Sequence, residues 1–362
     1  MILYVAVYSL FMLIFFAGTI PGVRAYEKFI LLFACLVTWF IVAFSQFVGP
    51  DYESYKFMYD RLNENFYKQE LLFRWSGYVF RALDFPYSWF YFSLISVYLL
   101  FISISFFRYR NFTALNFLIF IVMPYGLIEG GFNYIRQNVA LGIFYFSLVA
   151  LSNRRLGKYF LLNIIGALFH KSALILLPLY YCLHKKWKSK TCMIIFFISL
   201  SITLLLAIPV IKKSLVLLMS IMPYYGSTYV AFKDGAFVQG LSIKGVASYI
   251  YQMVPLVLLT YYKERIIFSK LENILFNITF LSLVTLTFAV ELRIFLRLEY
   301  YFVFAKVFTI PLLLRLCQNK KSRAIWFLVI FCWMTLYLIA LYITGVEKNL
   351  IPYQSVLGFE VS

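Results

Sequence analysis

Apolar runs of roughly 14–20 residues recur along the chain, separated by short segments where charged, Gly, Pro and aromatic residues collect. About 20 apolar residues span the hydrocarbon core of a bilayer. The runs therefore predict membrane helices over residues 2–20, 29–48, 87–107, 112–128, 138–151, 191–210, 245–262, 273–290, 299–316 and 324–343. The first of these has no basic stretch ahead of its apolar run, so it reads as a retained helix rather than a cleaved signal. The stretch from Lys158 to Leu183 differs. It is apolar enough for a membrane, yet His170, Lys171 and Ser172 interrupt it and Pro178 stands in its second half. It predicts a broken pair, 159–169 and 172–183.

Basic residues flank both ends of that pair: Arg154, Arg155 and Lys158 before it, His184, Lys185, Lys186, Lys188 and Lys190 after it. A single crossing would put the two clusters on opposite faces, against the tendency of Lys and Arg to stay cytoplasmic. The segment is therefore expected to enter the membrane, turn at His170 and return. With the N-terminus outside, the inner loops hold 18 of the 33 Lys and Arg with only three Glu, a net +15 against +3 outside. Orientation in a membrane thus accounts for the overall +18, and nucleic-acid binding is not needed to explain it.

Composition points the same way. Of 362 residues, 63% are hydrophobic and 13% charged, more apolar surface than a soluble fold hides. The expected fold is all-α, a polytopic integral membrane protein with about 10–12 crossings including the broken pair. It is read as a single domain over 1–362 with long outer loops at 49–86 and 211–244. Within the first loop, Leu71, Leu72, Trp75, Tyr78, Val79 and Leu83 recur at helical spacing and predict an interfacial helix near 69–83. The 41 Phe and 30 Tyr suit interfacial belts, or sugar stacking. The five cysteines fall in predicted helices or at their inner ends, and neither a disulfide nor a metal-ligand spacing is expected.

In that topology the unusual polar residues gather at the outer face. Asp51 and Glu53 open the first loop; Glu129, Arg136 and Gln137 precede a helix; His170 and Lys171 mark the break; Glu291, Arg293, Arg297 and Glu299 lead into another helix. Arg136 heads a helix after a Gly-Gly pair, where free backbone N–H groups and a guanidinium fork both suit an anion. Arg293 and Arg297, four apart, share a helical face and would hold a diphosphate or serve as interfacial anchors beside Glu291 and Glu299. His170 is a proton acceptor, a hydrogen-bond donor to a leaving group, or a polar plug; ionisable groups at this depth usually line a site. Asp51, with Glu129 behind it, is the alternative base. No phosphate-binding Walker loop, HExxH, CxxC or GxSxG occurs, so ATP hydrolysis, zinc chemistry and serine hydrolysis have no support.

Five stretches taken together resemble the EpsG-like branch of the Wzy-type O-antigen and exopolysaccharide polymerases. They are GPDYESY at 49–55, NYIRQNVALGIFYFSL at 133–148, ALFHKSALILLPLYY at 167–181, RLEYYFVF at 297–304 and, more weakly, PYQSVL at 353–358. The resemblance implies a metal-independent membrane glycosyltransferase related to the GT-C group, without a cofactor. It would join undecaprenyl-diphosphate-linked oligosaccharide repeat units at the outer leaflet of a bacterial cytoplasmic membrane. It marks Arg136, Gln137 and His170, with Tyr134 and Lys171 beside them, and implies a chain-length regulator protein as a further partner. Arg136, Arg297 and Arg293 fit the departing diphosphate, and His170, Asp51 or Glu129 the base. The competing readings are a flippase or other transporter of lipid-linked oligosaccharides, and an O-antigen ligase.

Overall fold

The computed structural model describes residues 26–62, 69–109, 113–206, 243–289, 294–344 and most of 350–361, with isolated positions elsewhere. The predicted helix at 2–20, most of the outer loop 211–244, and Glu291 and Arg293 lie outside the described residues. The protein is an all-α polytopic membrane protein. Among the described residues, five helices are long and apolar enough to cross a membrane: Tyr87–Arg108, Ile135–Ser152, Ser189–Leu206, Lys270–Ala289 and Lys320–Leu341. Shorter apolar helices accompany them. All five cysteines are free. The chain divides into two compact units, Met1–His184 with Asn319–Ser362, and Lys185–Gln318.

The first unit begins with α1 (Glu27–Ala43) and continues through α2 (Tyr52–Asp60), α3 (Leu71–Ala82), α4 (Tyr87–Arg108), α5 (Thr113–Val122), α6 (Ile135–Ser152) and α7 (Leu156–Phe169). Its centre is α6, whose residues are buried nearly all round, packed between α4 and α7. Small residues allow the close approach: a Cβ on Gly142 would lie 3.1 Å from the Tyr98 carbonyl oxygen, and one on Gly166 3.6 Å from the Cα of Ala140. Asn163 on α7 donates to Ser147 Oγ on α6 at 3.0 Å, satisfying polar groups where water is scarce.

The broken pair folds back on itself. After α7, His170 is extended (φ −152°, ψ 112°), and the chain then runs as a 3₁₀ turn over Lys171–Leu176 and a short helix α8 (Leu179–Cys182). The Tyr159 hydroxyl donates to the Leu176 carbonyl at 2.5 Å, and the Tyr159 and Tyr180 rings lie 5.6 Å apart. A residue eleven positions before the break and one six after it can meet only if the segment turns. At its return, His184 Nε2 lies 2.8 Å from the Leu151 carbonyl oxygen at the end of α6. The second half is thus a 3₁₀ turn and a single helical turn, not the continuous helix expected over 172–183.

The predicted helix 112–128 stops at Val122, because Pro124 cannot continue the hydrogen-bond ladder. A π turn over Leu127–Gly131 follows. Among the described residues, the segment 49–86 is folded. Tyr52 and Tyr59 of α2, Phe73 of α3 and Phe90 and Tyr91 of α4 form one aromatic cluster, with Tyr59 stacked on Phe90 at 5.1 Å. Much of the Tyr and Phe content of this region therefore builds a packed platform instead of an interfacial belt. On α3, Phe73 and Gly77 face inward, while Leu71, Trp75, Tyr78 and Val79 are exposed, as an interfacial helix requires. After α14 (Lys320–Thr344), a two-stranded hairpin of β1 (Tyr353–Gln354) and β2 (Glu360–Val361) closes the unit. Tyr353 donates its hydroxyl to the Ile41 carbonyl at 2.8 Å, and the Gln46 N–H donates to Gln354 O at 2.8 Å.

The second unit is built on α11 (Lys270–Ala289), which packs against α9 (Ser189–Leu206), α10 (Ile243–Tyr261), α12 (Ile294–Val303) and α13 (Lys306–Thr309). The helix expected over 299–316 is therefore three pieces, α12, α13 and a 3₁₀ turn at Ile310–Leu316. At one end Arg315 and Glu272 form a forked ion pair, 2.6 Å between Nη2 and Oε1 and 3.1 Å between Nη1 and Oε2. Deeper, Glu299 is fully buried and accepts from Ser282 (2.6 Å) and Thr285 (2.5 Å), with Lys306 Nζ 3.5 Å away. Glu299 was expected at an outer surface beside Arg297. It turns inward, because a carboxylate at this depth needs donors around it.

Candidate functional site

Three chain segments far apart in sequence meet at one end of the first unit. Glu70, at the N-cap position of α3, supplies the central carboxylate. Arg136, in the first turn of α6, donates Nη1–H to Glu70 Oε2 at 2.5 Å. From the break after α7, His170 Nδ1 lies 3.4 Å from Glu70 Oε1, and the Lys171 backbone N–H donates to the same oxygen at 3.4 Å. The side chains of Arg136, His170 and Glu70 are 20%, 14% and 10% exposed, a polar cluster with limited access to solvent.

Each element holds its residue for a local reason. Tyr134, the N-cap of α6, is left-handed (φ 52°), and this tight entry swings the Arg136 turn toward α3. Asn138 fixes the entry by donating Nδ2–H to the carbonyls of Gly130 (2.9 Å) and Asn133 (2.7 Å). Gly49 (φ +90°) lies against this turn, where a Cβ would be 2.7 Å from both Asn133 Oδ1 and the Phe132 carbonyl oxygen. Only glycine fits there, so the GPD motif and the Arg136 turn are packed as one. The guanidinium of Arg136 lies over the adjacent rings of Tyr55 (5.6 Å) and Phe73 (5.3 Å), a cation held against two aromatic groups.

The electrostatics follow from this packing. Burial pushes the Glu70 carboxyl up, but the His170 ring and the Arg136 guanidinium outweigh it and bring it down to about 2. Glu70 is an anion at neutral pH. Burial raises the Tyr55 phenol; Arg136 opposes that, and the charges of Asp51 and Glu70 reinforce it. Tyr55 therefore stays protonated and able to donate.

Sequence-based site residues divide accordingly. Arg136, His170 and Lys171 come together, and Asp51 lies one turn before Tyr55 on the same short helix. Tyr134 and the buried Gln137 are part of the α6 entry. Glu129 serves elsewhere: it accepts from the Tyr125 backbone N–H at 3.0 Å and from the Tyr337 hydroxyl, tying the π turn to α14. Arg297 is an exposed residue of α12 in the second unit, and Arg293 is outside the described residues. Among the described residues, no group of three His, Cys, Asp or Glu could hold a metal ion. Glu70 is the residue that reading the sequence missed. Its signal was faint: one carboxylate directly ahead of the interfacial run LLFRW.

The family model described as the EpsG family matches residues 28–355. The chain belongs to the EpsG family. No curated protein and no solved structure matches it. The EpsG match spans both compact units and takes in the GPD turn, the Arg136 entry, the His170 break and the PYQS hairpin. In this EpsG protein three of those four meet through Gly49, Glu70 and the α6 entry, and the hairpin packs beside them, with the Tyr353 ring 6.3 Å from that of Phe132.

Proposed function

We propose that this EpsG-family protein is a membrane glycosyltransferase that polymerises oligosaccharide repeat units carried on undecaprenyl diphosphate, at the outer leaflet of a bacterial cytoplasmic membrane. The observation that carries the reading is the meeting of Arg136 and His170, a diphosphate-binding fork and a proton acceptor, on one carboxylate. In the reaction, a hydroxyl of the acceptor unit attacks the anomeric carbon of the donor chain. The bond from that carbon to the diphosphate breaks, and its electron pair leaves with the lipid diphosphate. Arg136, at the N-terminal end of α6, neutralises the charge that develops on the leaving group, aided by the helix dipole. His170 takes the hydroxyl proton. With a guanidinium in the electrophilic role, the chemistry is written without a metal or cofactor. Lys171, Tyr134 and Gln137 line the approach, and Asp51 remains the alternative base.

The charge asymmetry of the loops supports an outward-facing site, since residues 49–86, 126–137 and 170–171 all fall on the side poor in excess Lys and Arg. A chain-length regulator is the protein partner this activity calls for. The test is the surface glycan of a strain lacking this chain. A single repeat unit on its final acceptor is the expected profile; complete loss of units would favour a flippase or ligase.

A further inference from the structure

We propose that Glu70 is the positioning residue for His170. Its carboxylate accepts the ring Nδ1–H and thereby makes Nε2 the nitrogen that receives the proton of the attacking hydroxyl. The last step rests on the polymerase reading given above; the Glu70–His170 pairing does not.

The two oxygens of the Glu70 carboxylate are divided: Oε2 accepts from Arg136 Nη1–H, and Oε1 faces His170 Nδ1 and the Lys171 N–H. An ionised carboxylate has only acceptor sites. A bare Nδ1 lone pair against Oε1 would be repulsive, so the contact is favourable only when Nδ1 carries the hydrogen. In the neutral ring the other nitrogen is then the acceptor, as the tautomer is set by the partner of its opposite nitrogen.

The backbone keeps the ring in this position. The His170 N–H donates to the Gly166 carbonyl at 3.0 Å, and its carbonyl accepts from Ala173 N–H at 3.0 Å. His170 is therefore pinned between α7 and the 3₁₀ turn while Glu70 is pinned by the start of α3. Arg136 on α6 and Lys171 beside the histidine carry the positive charges next to the pair, and Tyr55 on α2 lies against the guanidinium. Arg136 and Lys171 disfavour an imidazolium, and Glu70 favours it. Removing the Glu70 charge should therefore make His170 a weaker base, even where the fold is unchanged.

The chain has only two histidines, His170 and His184, which makes the test direct. The full-length protein is labelled with ¹⁵N-histidine in detergent, and His170→Gln assigns the resonances. We expect neutral His170 to be protonated at Nδ1 in the wild type, and Glu70→Gln to lower its titration midpoint by about one pH unit. Glu70→Asp, which keeps the charge, should hold the midpoint closer to the wild-type value. Turnover is read with lipid-linked repeat units extracted from cells lacking this chain. Glu70→Gln should slow it about 100-fold or more and move the acid limb of the pH profile downward with the midpoint. A neutral ring protonated at Nε2 in the wild type would overturn the proposal without any variant. An unmoved midpoint in folded Glu70→Gln would do the same. A correct tautomer with no polymer from the wild type would instead overturn the polymerase reading and leave the pairing intact.

Discussion

Glu70 and Arg136 stand 66 positions apart in the chain and meet with 2.5 Å between carboxylate and guanidinium. The carboxylate takes one guanidinium nitrogen, Nη1, of the residue assigned to the diphosphate in the proposed reaction. It also contacts His170, so a single side chain joins the candidate anion-binding and proton-accepting groups.

That relationship predicts an asymmetric double-mutant cycle. Arg136→Ala leaves a mostly buried carboxylate without its closest partner and should destabilise the protein by about 3 kcal/mol, near the low end for a broken buried pair. Adding Glu70→Gln to it should recover part of the loss, because no uncompensated charge then remains. Thermal unfolding in detergent measures both. Polymer should be absent in both variants and in Arg136→Lys, since an ammonium does not reproduce the fork.

Acid should weaken the fold through Glu70. Its carboxyl is held at about 2, below the ordinary Glu value near 4.5. A depressed carboxyl stabilises the folded state fully above the unfolded value and loses that contribution as pH falls from about 4.5 toward 2. A shift of this size is worth at most about 3 kcal/mol, reduced by the solvent that reaches the pair. Glu70→Gln should flatten that part of the stability curve. A wild-type melting temperature independent of pH across this window would contradict the ion-pair assignment.

Gly49→Ala should disrupt the site from a distance. The new Cβ would meet Asn133 Oδ1 and Phe132 O at 2.7 Å, on a backbone with φ +90° that L side chains rarely adopt. We expect a loss of about 1–3 kcal/mol and reduced polymer at equal protein level. Wild-type melting and a full polymer ladder together would show that the GPD turn does not position the Arg136 entry.

Orientation is tested by cysteine labelling in a background lacking the five native cysteines. Ser54 and Asn319 are both exposed, one on α2 and one just ahead of α14. Ser54→Cys should react with an impermeant maleimide in cells whose outer membrane has been opened. Asn319→Cys should react only after the cytoplasmic membrane is broken. The reverse pattern would invert the topology and place the Glu70 cluster on the cytoplasmic side.

The membrane class, most of the long apolar helices, the break at His170 and the amphipathic helix around Trp75 are legible along the chain. Partition into a bilayer depends on the residues within a single run, and Pro124 or His170 acts on its own neighbourhood. Arg136 and His170 stand out in the same way, since a charge at the edge of an apolar run is costly wherever the rest of the chain goes. Which carboxylate serves them depends on packing. Glu70 becomes their partner only when α3, α6 and the end of α7 are packed together, and Glu129 and Glu299 are drawn instead to Tyr337 and to Lys306 with its hydroxyl neighbours. Glu70 with Arg136, Glu70 with Lys171 and Glu129 with Tyr337 join residues 66, 101 and 208 positions apart, and the charge of a side chain carries no record of which distant donor packing will bring into contact with it.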